Sequence, residues 1–334
     1  MKSNFYTQLI EKSKEEKSVS DKDCKEILES DLIDIKSLLD AAFTVRKHFI
    51  GETIKIHIIN NVQNGLCSED CHYCAQSKTS KASINEYPMK SDDQILLEAK
   101  QAYEKGAFRY CMVFAGKGSS EQRIEKLTKI IKQIKNLYNL EVCVSPGVVN
   151  QKGLDMLKAA GLNRLNHNIN TSSKHYSKIC TSHKFQDRID TLYAAKKTGL
   201  QICSGVIIGM GESSEDIVEM ASILNDLKIE SIPVNFFMPI EGLALDAKPN
   251  LTPEYCLRVL CLFRFLCPKA EIRVAAGREM YLKDKQHLAF YPANSLFMEG
   301  YLNVSGDTQK KTLTMLKDAG FKIESDKTLE ELLK

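Results

Sequence analysis

The chain has 334 residues, 43% of them apolar and 27% charged, with eleven Cys and no Trp. Lys plus Arg number 46 against 43 Asp plus Glu, so the formal charge of +3 gives no compositional support to a nucleic-acid or anionic-membrane partner. The longest apolar stretch, Leu257 to Cys267, is broken by Arg258 and Arg264 and falls well short of the ~20 residues that span a bilayer; the charged N-terminus offers no signal-peptide core. A cytoplasmic protein is expected, and in a reducing compartment eleven cysteines are not a disulfide framework.

Residues 1–50 read as a polar helical extension in which Ile27, Leu28, Leu32, Ile35, Leu38 and Leu39 recur at helical spacing. Short β-rich runs then alternate with longer helical ones. The expected strands are Ile54–Ile58, Phe108–Ala115, Glu141–Ser145, Arg164–Ile169, Gln201–Ile208, Ile232–Met238, Glu271–Ala275 and a weaker Leu288–Tyr291. Ser91 with Gln94 forms a capping box for a helix reaching Glu104, and Gly106 is placed to end it. The segment Ser120–Tyr138 puts Ile124, Leu127, Ile131, Ile134 and Leu137 on one face. Gly161 and Gly199 close two further helices, while Ser213, and Thr252 with Pro253, open two more. Eight strands separated by helices predict an α/β fold, a (β/α)8 TIM-type barrel with an N-terminal helical extension; a doubly wound open sheet is the alternative. The expected division is a helical extension over 1–50, the barrel over 51–307 and a C-terminal tail over 308–334.

Directly after the first strand comes the run Cys67-Ser68-Glu69-Asp70-Cys71-His72-Tyr73-Cys74. Its CX3CX2C spacing lies in a loop at the C-terminal end of a strand, the catalytic face of a barrel. Three thiolates on one short loop can wrap a corner of an iron–sulfur cubane and leave one iron open to a substrate. Zinc would want a fourth ligand, and His72 lies between the cysteines; ferredoxin-type clusters need four cysteines each.

The motif, with Tyr73 before the last Cys, resembles the signature of radical S-adenosylmethionine (SAM) enzymes, and the longer string CSEDCHYCAQS is similar to the biotin synthase family. The resemblance covers roughly residues 50–300. It implies that Cys67, Cys71 and Cys74 hold a [4Fe-4S] cluster whose open iron binds SAM, which is cleaved to a 5′-deoxyadenosyl radical that takes hydrogen from an unactivated carbon.

Cys111, Cys143 and Cys203 each fall mid-strand, where alternate side chains enter the barrel, and Arg273 is a costly cation within another strand unless anions surround it. Singly, each Cys reads as a small buried hydrophobe; together they point to a second metal site. The resemblance implies that these three cysteines and Arg273 hold a [2Fe-2S] cluster that donates sulfur, with Arg273 counted among the catalytic residues. It further implies adenine contacts from Tyr73 and Ile207, a SAM ribose contact from Asn168 and Asn170, and a substrate, dethiobiotin, held by Asn166, Asn168 and Asn235. Two departures stand out: Asn170 replaces a carboxylate common in the family, predicting weaker SAM binding, and the stretch Tyr301-Leu-Asn-Val-Ser305 replaces a Thr-containing string, leaving Ser305 to hold the substrate carboxylate. An electron donor such as flavodoxin or ferredoxin and a homodimer are also implied. The alternatives are a radical SAM enzyme of the same fold without sulfur insertion, of cofactor-maturation or mutase type, and a non-enzymatic iron–sulfur carrier. Cys24, Cys180, Cys256, Cys261 and Cys267 carry no chemical role in this reading.

Overall fold

Seven of the eight β-rich runs become staves of a closed parallel barrel. The computed structural model describes residues 2–334, and its staves are β1 (Thr53–Gln63), β2 (Arg109–Phe114), β3 (Glu141–Ser145), β4 (Arg164–Asn166), β5 (Gln201–Cys203) continued by β6 (Val206–Ile208), β7 (Ser231–Phe236), β8 (Glu271–Val274) and β9 (Ser295–Phe297). Neighbours pair in parallel, and β1 pairs with both β2 and β9, so the sheet closes. The (β/α)8 TIM-type barrel with a helical N-terminal extension is therefore the fold observed, with β5 and β6 forming one broken stave.

Two strands differ from expectation. The fifth stave breaks at Ser204-Gly205, where a Cβ on Gly205 would meet the Pro233 carbonyl oxygen at 2.5 Å; the bare glycine lets the chain bend toward β7, and Asn170 bridges to Val206. The segment Leu288–Tyr291 is not the last stave. It closes a 3-10 helix, Lys283–Phe290, whose end satisfies its backbone locally through Tyr291 N–H to Leu288 and Ala293 N–H to Ala289. The eighth stave is β9, where Ser295 and Phe297 face the interior and Leu296 packs outward into the main core.

The covering helices start where small oxygen-bearing residues cap them: Ser91, Ser120, Asn150, Ser213 and Thr252 each accept a backbone N–H, and Ser91 with Gln94 makes the full capping box. Ile124, Leu127, Ile131 and Ile134 bury against the sheet, whereas Leu137, at the last turn, is 60% exposed. The N-terminal extension is three helices, Lys2–Lys14, Asp21–Glu29 and Ile35–Phe49, and Leu32 falls in a connection, 66% exposed and off the apolar face. They lie over the helix Pro253–Leu266, to which Ser13 donates at the Phe265 carbonyl (3.0 Å) while Arg258 donates to the Ser30 carbonyl (2.7 Å). Sandwiched between extension and barrel, that helix is buried on every side from Cys256 to Phe265, Cys261 included, with Cys267 buried at its C-cap. After the hairpin of β10 (Gly300–Tyr301) and β11 (Val304–Ser305), the chain adds a short strand, β12 (Lys322–Ile323), parallel to the start of β1. No helix among the described residues is long and apolar enough to cross a membrane.

The closing stave is held by a fully buried cation. Arg264 donates to the carbonyls of Pro292 (2.8 Å), Pro268 (2.9 Å) and Ala270 (2.9 Å) and to Asn294 Oδ1 (2.9 Å), the last immediately before β9. Arg264→Met strips the donors from four dry acceptors, and unsatisfied buried groups cost about 1–3 kcal/mol each before relaxation. A loss of at least ~2 kcal/mol, read as a lower urea midpoint of the metal-free protein, is expected.

Candidate active site

At the C-terminal end of β1 the chain turns through Gly65 (φ 74°) and Leu66 (φ 53°) into the cysteine loop. Asn64 pairs with Tyr87 through both backbone groups, which fixes the base of the loop. Its middle is bound to the segment after β4. Asp70 accepts from the backbone N–H of Thr181 (3.0 Å) and Ser182 (2.9 Å) and from the Thr181 hydroxyl, while Glu69 accepts from Ser182 Oγ (2.8 Å). Burial opposes ionisation of Asp70, but these donors hold its carboxyl well below the usual range. So anchored, Cys67, Cys71 and Cys74 all line one cavity of about 310 Å³.

His72 is turned away, its Nδ1 at 3.1 Å from the Lys178 carbonyl. Cys180, which had no assigned role, sits with Sγ 3.9 Å from that of Cys71 and 3.3 Å from His183 Nδ1. Cys71, Cys180 and His183 form a compact group of metal-capable side chains, but both nitrogens of His183 are occupied: Nδ1 contacts Glu69 at 2.7 Å and Nε2 accepts from Arg188 at 2.7 Å. The group thus lacks a nitrogen lone pair for zinc, and Cys180 is left as a sulfur neighbour of Cys71. Only three-dimensional packing brings it there.

The strand cysteines do converge. Cys111 and Cys143 are register partners on β2 and β3, Cys203 stands opposite Asn166, and the three share a buried cluster with Ala275 and Phe297. Arg273 Nη1 lies 3.6 Å from Cys203 Sγ. All of these thiols are free. Below them sits Glu271, which sequence reasoning did not single out. Its carboxylate meets Arg164 (3.0 Å), Arg109 (3.3 Å), Arg273 (2.5 Å), His57 Nε2 (3.0 Å), Ser231 Oγ (3.2 Å) and Ser295 Oγ (3.1 Å). Burial opposes its charge, yet Arg164, His57 and the other arginines hold the carboxyl far below its ordinary value. Burial, then Arg273, keep His57 neutral. Burial likewise opposes a Cys111 thiolate, but a hydrogen bond from Cys143 and the charges of Arg273 and Arg109 bring that thiol below its usual value. Apart from Glu141, at 3.5 Å from Arg109, three guanidiniums face one carboxylate, and the surplus positive charge beneath three thiols suits an anionic metal–sulfur group.

Between the two thiol sets lies a tier of amides. Asn166 Nδ2 donates to Asn168 Oδ1 (3.0 Å) and approaches Cys203 Sγ (3.3 Å); Gly205 N–H also reaches Asn168 Oδ1 (2.9 Å). Asn235 spends one donor on the Val206 carbonyl (2.9 Å) and its oxygen on Ala276 N–H (3.2 Å). These three, with Asn170, Ile207 and Tyr73, line the cavity. Ser305 does not: in the β10–β11 hairpin alternation turns Val304 to the cavity and leaves Ser305 exposed, while Asn303 reaches the lining instead. Arg188 is a further lining residue missed in the sequence. Its guanidinium contacts the Tyr176 hydroxyl (2.5 Å), the Asn168 carbonyl (3.2 Å) and His183, with no carboxylate partner among the described residues.

Residues 62–224 match the Radical SAM superfamily, and residues 233–322 the Biotin and Thiamin Synthesis associated domain. The chain is 52% identical over 292 residues to the biotin synthase of Magnetococcus marinus (87% of this chain, 91% of that one). It is 42% identical over 320 residues to the biotin synthase of Halalkalibacterium halodurans (96% of each). Among solved structures it resembles methylornithine synthase (TM-score 0.80, 21% identity, 97% of this chain and 100% of that one) and the FeFe-hydrogenase maturase of Carboxydothermus hydrogenoformans (TM-score 0.80, 16% identity, 98% and 81%), which speaks to fold.

Asp70→Ala leaves the donors at 181 and 182 without their acceptor and frees the cysteine loop. A stability loss of about 1–3 kcal/mol in denaturant titration of the metal-free protein, with reduced iron retention after anaerobic reconstitution, is expected; unchanged iron content would refute the anchoring role.

Proposed function

The chain belongs to the biotin synthase family, and on that premise we propose how its own residues serve the conversion of dethiobiotin to biotin, in which one sulfur is inserted between two saturated carbons. The observation that carries the reading is the presence of two separate thiol sets at two depths of one barrel, with an amide-walled cavity between them. Cys67, Cys71 and Cys74 would hold the [4Fe-4S] cluster, and Cys111, Cys143 and Cys203, with Arg273 against them, the [2Fe-2S] cluster. When bound, the loop cluster and SAM supply a carbon radical that takes hydrogen from the substrate, and the inner cluster supplies the sulfur.

The protein's contribution is placement. Arg188, a half-buried cation without a carboxylate partner among the described residues, pairs the SAM carboxylate; Tyr73 and Ile207 flank the adenine, and Asn168 and Asn170 meet the ribose. Asn166, Asn168 and the remaining N–H of Asn235 suit a neutral ureido ring, which needs donors and acceptors but no charge. Asn303 and Lys117, polar groups of the cavity lining, take the carboxylate tail in place of Ser305. The apolar walls at Ile207, Phe237 and Tyr301 keep water from a reactive radical. The same reading calls for a one-electron donor such as flavodoxin or ferredoxin, a homodimer, a cytoplasmic setting and a catalytic unit over residues 51–307.

Anaerobic protein given dethiobiotin, SAM and reductant should yield biotin. Cys143→Ala should lose the two inner irons, keep the four at the loop and still cleave SAM without making biotin; full iron content in that variant would defeat the two-cluster reading. Arg188→Ala removes charge-assisted bonds of about 1.5–3 kcal/mol, so the KM for SAM should rise by roughly 10- to 100-fold, measured by 5′-deoxyadenosine formation at unchanged iron content.

A further inference from the structure

Cys180 is a buried thiol that neither the loop motif nor the strand cysteines account for, and the fold seats it directly behind one cysteine of the loop. Its Sγ lies 3.9 Å from that of Cys71. Asp70 Oδ1 and His183 Nδ1, each at 3.3 Å from the sulfur, hold it there. The two backbones are fastened on either side of the sulfur pair. His72 N–H donates to the Ile179 carbonyl (2.9 Å), joining the residues next to both cysteines, and Asp70 accepts from the N–H groups of Thr181 and Ser182. The main chains are thereby kept side by side through protein groups alone. A disulfide sets its sulfurs at about 2.05 Å, so closure asks the two thiols to approach by roughly 1.9 Å, a movement of side-chain torsions.

Access differs between the two. Cys71 lines the cavity, whereas Cys180 stands behind it, 2% exposed. A small oxidant entering the cavity therefore meets Cys71 first, and Cys180 is placed as the resolving thiol.

We propose that Cys71 and Cys180 are a redox-active pair that closes to a disulfide once the loop cluster is lost, withdrawing one cluster ligand until a thiol reductant returns it. The oxidant is hydrogen peroxide. The Cys71 sulfur attacks one peroxide oxygen, the O–O bond breaks and a first water leaves, giving a sulfenic acid; the Cys180 sulfur then attacks that sulfur, the S–O bond breaks and a second water leaves. The two thiols together lose two electrons and two hydrogens, and the peroxide is reduced to two waters. A dithiol reopens the bond by exchange. Without a resolving neighbour the sulfenic acid goes on to sulfinic acid, which thiols do not reverse. The dependence on cluster loss rests on Cys71 being a ligand of the loop cluster, whereas the pairing itself is read on metal-free protein.

Full-length protein stripped of metal by a chelator under argon is given hydrogen peroxide, quenched with an alkylating agent and mapped by mass spectrometry without reduction. A peptide pair joined through Cys71 and Cys180, two hydrogens lighter than its parts and released by dithiothreitol, is expected, with loop iron restored on reconstitution. In Cys180→Ala the same dose should carry Cys71 to sulfinic acid, and most of the loop-iron uptake should be lost even after reduction. Wild-type Cys71 joined to Cys67 or Cys74, or recovered as free thiol or sulfinic acid, overturns the pair, and this map decides the question even if Cys180→Ala folds poorly. Reconstituted protein holding its loop iron should form no link. A link formed there with the iron retained overturns Cys71 as a loop ligand, and the dependence on cluster loss with it, while the pair read in metal-free protein stands.

Discussion

One buried carboxylate organises the floor of this barrel. Glu271, on β8, is bonded to His57 on β1, Arg109 on β2, Arg164 on β4, Ser231 on β7, Ser295 on β9 and its own neighbour Arg273. A lone carboxylate in so dry a place would be neutralised, and three lone guanidiniums would be worse. Each is tolerable only because the others are there, so closure of the barrel and ionisation of this cluster are one event. Because the cations outnumber the acids, the floor remains positive, and the thiols directly above it are where that charge is used.

The alternation of β-strands distributes chemistry by depth. On β2, Arg109 joins the floor, Cys111 the inner thiols and Val113 the cavity wall. On the fourth stave Arg164 meets Glu271, Asn166 meets Cys203, and Asn168, just beyond β4, lines the cavity. From β8 upward, Glu271, Arg273 and Ala275 repeat the sequence of levels. A shift of one residue in any stave would exchange its inward set for residues such as Leu165 or Ile272, which belong to the apolar layer under the helices. Register is thus as much a part of the site as the side chains.

This periodicity explains what the sequence disclosed and what it withheld. CX3CX2C is local, so the cysteine loop was legible directly, and the mid-strand cysteines could be suspected because each lies in a recognisable stave. The charged floor left a weaker trace: Arg109 two residues before Cys111 and Glu271 two before Arg273 share a face, but their pairing spans most of the chain and exists only once the barrel closes. Cys180 and Arg188 lie on segments whose approach to the cysteine loop is set by Asp70 and Glu69, contacts no periodicity reports. The eighth stave was misplaced because the apolar run Leu288–Tyr291 closes a 3-10 helix just before the short β9, and Ser305 because a hairpin's facing depends on its turn, here at Leu302 with φ 51°.

Asn170 shows how a departure changes meaning once its surroundings are known. Read as a lost carboxylate, it weakens one bond to the SAM ribose. In the fold it occupies the left-handed region (φ 68°), which Asn tolerates well, and its backbone joins both ends of the broken stave: its N–H donates to the Gly205 carbonyl (3.0 Å) and its carbonyl accepts from Ile207 N–H (2.8 Å). The acids that remain in the cavity lining are already engaged, Glu69 by Ser182 and His183, and Asp187 by the Lys184 N–H. A neutral residue at 170 therefore leaves the positive charge of Arg188 without a competing anion on the wall. On the proposed reading, what Asn170 forgoes at the ribose is offset at the carboxylate end of the same ligand, because in a buried cavity an unopposed guanidinium attracts an anion more strongly than one flanked by a protein carboxylate.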